Sequence, residues 1–235
     1  MADILNFSSD NVNVFLMVVD ASSSMGMDEY KICKGLENYK KEFEDFYGAD
    51  SIAVAVSKFS DSYYKGEFKK VKDMDTDYYT GGFTALCYSI EQGKEQLKKY
   101  IRKIKRVAKI IPRATFIFWS DGEPCEDPGT YERAKEAIAY LNKEGVTTVF
   151  VAFGEAISSK FGEDLGFSST IQLESRDAAT DFLGKELSKS CKEQVKSVKA
   201  LGSNFFSKAK ENKGSAGYSK TTEEVLENDD WIDSI

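Results

Sequence analysis

The chain of 235 residues contains no histidine, only three prolines and only four cysteines. Without histidine, Ser-His-Asp and Cys-His catalysis are excluded, and a common zinc ligand is missing as well. The cysteines are far apart and form no CxxC pair, which also argues against a zinc site; they are Cys33, Cys87, Cys125 and Cys191. These absences lower the expectation of an enzyme.

Long apolar runs and an excess of positive charge are missing too. No apolar stretch is long enough to cross a membrane. The net charge is −7 and the sequence pI is about 5.0, which disfavours general nucleic-acid binding. Residues 1–13 are polar and lack the basic start and apolar core of a signal peptide. We therefore expect a cytoplasmic protein with reduced thiols that binds neither nucleic acid nor membrane.

Short apolar runs alternate with segments of helical periodicity, which is typical of an α/β fold. Such an order predicts right-handed crossovers and a mostly parallel central sheet with helices on both faces. Strands are predicted over residues 12–19, 52–56 continuing towards 59, 115–119, 146–153 and 169–173, with a shorter edge strand around Phe68 and Val71. Helices are predicted up to about residue 47, over 85–108 and 131–144, and from 178 to about 201.

The composition changes near residue 202. Residues 208–220 are polar and rich in small residues, and residues 221–235 carry six acids and no basic residue. We interpret residues 1–11 as an N-terminal extension, 12–202 as one domain, and 203–235 as a flexible linker with an acidic tail.

Oxygen-bearing side chains stand at three points where strands end or helices begin. Asp20, Ser22 and Ser24 follow the first apolar run, Thr84 follows two glycines, and Asp121 precedes a glycine after a later strand. In open α/β sheets, ligands bind beyond the carboxyl ends of the strands. Because all five side chains offer oxygen, the pattern indicates a site for a hard divalent cation.

The three parts, DxSxS, a threonine in a Gly-rich loop and a later Asp-Gly, resemble the metal-ion-dependent adhesion site (MIDAS) of von Willebrand factor A (vWA) domains. The resemblance covers roughly residues 10–200 and implies a three-layer, Rossmann-like fold. It implies that Ser22 and Ser24 bind the ion directly, that Thr84 does so in the ligand-ready state, and that Asp20 and Asp121 act largely through water or hydrogen bonds. Availability favours Mg²⁺, with Mn²⁺ and Ca²⁺ as alternatives.

The same resemblance implies a function. An ion held mostly by neutral hydroxyls keeps much of its charge and attracts an Asp or Glu carboxylate of a partner protein. We therefore expect a non-enzymatic, metal-dependent protein-interaction module, an adaptor or scaffold. The stretch WSDGEP at residues 119–124 and the segment around 201–206 are similar to bacterial vWA proteins associated with tellurium resistance. That similarity implies a stress-response setting, whereas the partner and the oligomeric state stay open.

Other interpretations remain at this point. The first loop is also typical of helix capping, Thr84 of a helix N-cap, and Asp121 of a turn before glycine. A metal-dependent hydrolase, or a regulatory subunit of an ATPase or chelatase assembly, is an alternative function. Cys87 and Cys125 follow two of the loops, and a reactive thiol there is an alternative to a plain buried or rim residue. Glu123 and Glu126 are interpreted as solvated loop charges.

A basic run without an intervening acid follows in the second predicted helix: Lys98, Lys99, Arg102, Lys103, Lys105, Arg106, Lys109 and Arg113. A solvated helix face is the simplest interpretation. The alternatives are a docking patch for an acidic or phosphorylated partner, or for the acidic tail of the same chain. In that tail, Trp231 and Ile232 form an apolar anchor among carboxylates, suited to a recognition peptide or to a carboxylate donor for a neighbouring molecule.

Overall fold

A seven-stranded sheet forms the centre of the computed structural model, which describes residues 12–125 and 128–196. The extension at residues 1–11 and the tail at 203–235 lie outside the described residues. The strands are β1 (Asn13–Asp20), β2 (Ile52–Phe59), β3 (Tyr63–Tyr64), β4 (Lys69–Lys70), β5 (Arg113–Ser120), β6 (Thr147–Phe153) and β7 (Ser169–Leu173). Their order is β3-β2-β1-β5-β6-β7, with β4 also paired to β2. The predicted α/β class is confirmed.

Strand β1 occupies the middle of the sheet. It pairs in parallel with β2 on one side and with β5 on the other, and all eight of its residues are buried. A strand with neighbours on both sides and helices over both faces has no solvent-facing side chains, so its sequence reads as a continuous apolar run. Because β1 and β5 are parallel neighbours, their carboxyl ends lie side by side at the same end of the sheet.

Helices cover both faces of the sheet, as predicted. Their bounds are α1 (Glu29–Lys41), α2 (Leu86–Ala108), α3 (Pro128–Lys143), α4 (Ser159–Leu165), α5 (Arg176–Asp181), a π-helical stretch at Phe182–Leu187, and α6 (Ser188–Lys196). One core lies between the sheet and α1 with the last helices, and includes Phe15, Leu36 and Phe182. The other lies under α2, α3 and α4. Within the described ranges, no helix combines the length and the apolarity that a membrane span needs.

The structure corrects three details of the sequence prediction. Helix α1 ends at Lys41 rather than near Tyr47, because the chain turns to bury Phe43 and leaves Tyr47 fully exposed. The predicted edge strand is reduced to Lys69–Lys70, and Val71 begins a 3₁₀ turn that buries its side chain. Helix α4 and strand β3 were not predicted; each is too short to show a periodic pattern.

Candidate metal centre

Asp20, the last residue of β1, is completely buried. Its Oδ1 accepts a hydrogen bond from the backbone N–H of Ser22 at 2.8 Å, and its Oδ2 accepts one from the hydroxyl of Ser120 at 2.5 Å. Burial raises the pKa of Asp20 to about 6, the hydrogen bonds from Ser120 and Ser22 oppose that rise, and the charge of Asp121 adds to it. A buried carboxylate beside another carboxylate is a position that a bound cation would stabilise.

A chain of hydroxyl groups leads from the interior to the surface. The Oγ atoms of Ser22 and Ser24 share a hydrogen bond of 2.9 Å, and Ser24 Oγ donates to Asp121 Oδ1 at 2.8 Å. Ser22 and Asp121 are buried, whereas Ser24 is exposed. A 3₁₀ turn, Ser23–Asp28, begins inside the motif and orients these serines. Residues separated by 97 positions in sequence are thereby within hydrogen-bonding distance of each other.

The Gly-Gly loop is attached to the first loop by backbone hydrogen bonds. Gly81 N–H donates to Ala21 O at 2.8 Å, and Ser23 donates to Gly82 O from both its backbone N–H and its hydroxyl, at 3.1 and 3.0 Å. Gly82 has φ +84°, and a Cβ there would lie 3.1 Å from atoms of Ser60 and Asp61. Only glycine combines that backbone angle with so close an approach.

Thr84 is buried beside the third part of the motif. A Cβ built on Gly122 would lie 3.3 Å from Thr84 Oγ1 and 3.8 Å from Ser24 Oγ. All three sequence segments therefore meet around one point. The alternative that Thr84 caps α2 is wrong, because the N-cap is Ala85 and the helix begins at Leu86.

Two residues that hydrogen-bond to Asp20 had no role in the sequence prediction. Ser120 holds Asp20 through its hydroxyl, and the buried hydroxyl of Tyr78 donates to the backbone carbonyl of Asp20. A signal for Ser120 existed, since it is the polar residue between an apolar strand and Asp121. No pattern in the sequence connects Tyr78 with Asp20, because 58 positions separate them.

The donor set suits a hard cation. Among residues 12–125 and 128–196, no three side chains of His, Cys, Asp or Glu cluster as a metal site. The candidate centre consists instead of three hydroxyls and two carboxylates, and oxygen donors of this kind are preferred by Mg²⁺, Mn²⁺ and Ca²⁺. Of the two cysteines that follow the loops, Cys87 is buried, and Cys125 is exposed with its Sγ 3.8 Å from Glu123 O and its backbone N–H donating to Thr84 O at 3.0 Å. Glu126 lies outside the described residues.

No protein-family model and no curated protein matches the sequence, whereas several solved structures match the fold. The pilus adhesin SpaC from Lactobacillus rhamnosus GG, in its open conformation, has a TM-score of 0.59 and 13% identity over 80% of this chain and 31% of its own. The ArnB paralog VWA2 from Sulfolobus acidocaldarius has a TM-score of 0.50 and 20% identity over 79% of this chain and 46% of its own.

Proximal thread matrix protein 1 from the mussel byssus, solved with a zinc-occupied MIDAS motif, has a TM-score of 0.50 and 18% identity over 77% of this chain and 46% of its own. The chain thus spans about a third to a half of the length of these three proteins. At such identities the likeness shows the fold, and the chain has the Rossmann-like α/β architecture of vWA domains.

Proposed function

We propose that this chain is a metal-ion-dependent protein-interaction module. In this proposal Asp20, Ser22, Ser24, Thr84 and Asp121 hold a divalent cation, with Mg²⁺ as the default and Mn²⁺ or Ca²⁺ as alternatives. When bound, the cation supplies an open coordination position that accepts an Asp or Glu carboxylate of a partner protein. The proposal is supported by the hydrogen-bonded chain from Ser22 through Ser24 to Asp121, which brings oxygens from two distant loops together.

The protein residues have different tasks in this proposal. Asp20 is oriented by Ser22 and Ser120, and its buried charge attracts a cation without reaching the surface. Ser24 is exposed and stands at the opening, where a partner approaches. Thr84 is positioned by the Gly-Gly loop, whose backbone is bonded to the first loop. Loops attached in this way hold the donors in place before the ion arrives, which reduces the ordering cost of binding.

We propose a non-catalytic role for the site. A general base must lie within hydrogen-bond reach of a substrate proton. Asp20 has an elevated pKa, as such a base needs, but both of its carboxylate oxygens accept hydrogen bonds from the protein and it is completely buried. That arrangement favours a structural carboxylate over a hydrolase base.

The finer assignment rests on sequence alone. The stretch WSDGEP contains Trp119, Ser120 and Asp121, and its similarity to tellurium-resistance-associated vWA proteins supports a role as an adaptor in a stress response. In that setting the partner provides the carboxylate, and the chain itself has no catalytic step. A cytoplasmic location belongs to the same proposal.

Isothermal titration with Mn²⁺ or Mg²⁺ tests the central proposal. The wild-type protein should release or absorb heat on binding, and Ser22→Ala/Ser24→Ala should lose that heat because two direct ligands are removed. The matched control is Ser158→Ala/Ser159→Ala at the start of α4, where neither hydroxyl has a hydrogen bond to another described residue. Circular dichroism establishes that both variants are folded.

Equal heats in the wild type and in Ser22→Ala/Ser24→Ala would disprove the assignment. A loss of heat in the α4 control as well would point to a general effect of removing serines. Loss in the first variant alone would identify the hydroxyls as ligands. Binding of a partner from extract should then depend on the same two serines and should disappear in EDTA.

A further inference from the structure

A second candidate binding surface lies beside the edge strand β3 and shares no lining residue with the metal centre. A cavity of about 310 Å³ opens between α2 and the segment that connects β3 with β4. The charged side chains that line it are three lysines and one acid: Lys65, Lys99, Lys103 and Glu67. Its apolar wall is a stacked pair, Phe68 and Tyr100, with ring centroids 3.9 Å apart and planes 8° apart. We call this the lysine cavity.

The floor of the lysine cavity is held by internal hydrogen bonds. Gln96 Nε2 donates to Gly66 O at 2.8 Å, and Gln96 Oε1 accepts from Ser57 Oγ at 2.9 Å and from the hydroxyl of Tyr63. Gly66 N–H donates to Ser57 Oγ at 3.0 Å. Because these polar groups bind each other, the cavity is preformed and presents mainly lysines and aromatic rings to a ligand.

Positive charge continues along α2 beyond the lysine cavity. Residues 96–109 contain seven Lys and Arg and no acid. The ion pairs of Lys94 and Lys98 use Glu95, on the N-terminal side of this stretch. Lys65 and Lys99 are exposed, and neither forms an ion pair with another described residue. A ligand that fits here carries several negative charges and a flat apolar group that packs on the stacked pair.

One segment of this chain has that chemistry. Residues 221–235 carry six acids and no basic residue, and Trp231 stands between Asp230 and Ile232. We infer that this acidic segment binds the lysine cavity of its own chain, with carboxylates beside Lys65 and Lys99 and the indole of Trp231 against Phe68 and Tyr100. An indole ring also attracts lysine ammonium groups through its π face.

The length of chain permits this contact. The described residues end at Lys196, and 24 residues separate it from residue 221. Such a stretch reaches up to about 80 Å when extended, whereas a domain of this size is roughly 40 Å across. A tethered segment has an effective concentration on the order of millimolar, so even a weak electrostatic contact is populated. The bound tail would cover the basic face of α2 and compete with any acidic partner for it.

The two tryptophans of the chain provide the test. Trp119 is buried at 1% exposure, and Trp231 lies in the acidic segment, so acrylamide quenching of the full chain reports mainly on Trp231. A Trp231→Phe variant gives the contribution of Trp119, which is subtracted. At low salt Trp231 should be protected, and about 0.5 M NaCl should raise its quenching constant about twofold or more, because salt screens exposed charges.

Charge reversal identifies the surface. Lys65→Glu/Lys99→Glu should raise the quenching constant of Trp231, as salt does. The control Lys135→Glu/Lys143→Glu makes the same charge change on exposed residues of α3 and should leave the quenching constant unchanged. Adding Asp229→Lys/Asp230→Lys to the first variant should restore protection.

Three results would overturn the inference. The first is quenching that does not respond to Lys65→Glu/Lys99→Glu. The second is protection that disappears on dilution, which would mean contact between two copies. The third is protection of Trp231 that is lost in EDTA but kept in Lys65→Glu/Lys99→Glu, which would place the acidic segment at the metal centre.

Discussion

The candidate metal centre and the lysine cavity contrast in how they are built. The metal centre uses short side chains at strand ends, and hydrogen bonds of 2.5 to 2.9 Å hold Asp20, Ser22 and Ser24 in place. The lysine cavity uses long side chains such as Lys65 and Lys99, which project into solvent from a loop and a helix. Ion binding by short, hydrogen-bonded side chains depends on the positions of their oxygens to a fraction of an ångström. Ligand binding by exposed lysines depends instead on net charge and on the salt concentration.

The largest expected effect comes from the buried charge of the metal centre. Burial raises the pKa of Asp20 from 3.8 to about 6, so between these two pH values the folded, metal-free protein keeps a proton that the unfolded chain has released. The contribution of Asp20 to the free energy of unfolding is therefore fully present below about pH 4 and is lost as the pH rises through about 6. Asp20→Asn removes this loss and should stabilise the metal-free protein at pH 7.5 by up to roughly 3 kcal/mol.

Urea unfolding in EDTA at pH 5 and at pH 7.5 measures the effect. The stabilisation by Asp20→Asn should be larger at pH 7.5, and the same variant should bind Mn²⁺ more weakly than the wild type. Asp45→Asn, at an exposed residue, is the control and should change neither quantity. A destabilising Asp20→Asn at pH 7.5 would mean that the hydrogen bonds from Ser22 and Ser120 outweigh the cost of burial.

The next effect concerns α2, which connects the two regions. A Cβ on Gly93 would lie 2.6 Å from Phe116 Cε2 and 3.3 Å from Val18 Cγ2, and the Phe116 ring is completely buried. Gly93→Ala should therefore destabilise the protein by roughly 1–3 kcal/mol despite the better helix propensity of alanine. On Gly129 of α3 the nearest atom to such a Cβ is the end of the Arg133 side chain at 3.8 Å, so Gly129→Ala should be neutral or stabilising.

Urea unfolding of the two alanine variants, in parallel with the wild type, makes this comparison. Equal stability of Gly93→Ala and Gly129→Ala would contradict the close packing of α2 on β1 and β5. A loss confined to Gly93→Ala, together with weaker metal binding, would show that the position of α2 also sets the position of Thr84, which precedes it by two residues.

The smallest effect is expected at the lysine cavity. Lys65→Glu/Lys99→Glu changes exposed side chains, so the free energy of unfolding should stay within about 0.5 kcal/mol of the wild type. Its Mn²⁺ titration curve at physiological ionic strength should also match that of the wild type, because the two substituted lysines are exposed and neither belongs to the candidate metal centre. A tenfold change in metal affinity, which corresponds to about 1.4 kcal/mol, would show that the two regions are coupled.

Much of the fold was predictable from local pattern. The strand at residues 169–173 is confirmed at both ends as Ser169–Leu173, and the central strands differ from prediction by one to three residues. These strands are buried on both faces, so their apolar runs are unbroken and easily recognised. Helix α4, at seven residues, and strand β3, at two, are too short for periodicity to distinguish them from loop.

The candidate centre was predictable as a set of residues, and the structure brings all three motif segments together. Its assignment as a metal site stays a prediction. The contacts of Ser120 and Tyr78 with Asp20 were not predictable, because hydrogen bonds across 100 and 58 positions leave no spacing in the sequence.

By itself, the sequence determined the alternation of strands and helices and the residues at the strand ends, because both follow from local burial and backbone preference. It also determined the charge of α2 and of the acidic segment, which composition alone specifies. Only the tertiary structure decided that Asp20 is a completely buried carboxylate and that Phe68 and Tyr100 form a wall beside lysines. Burial and stacking depend on which distant segments pack together, and that information exists only once the sheet has formed.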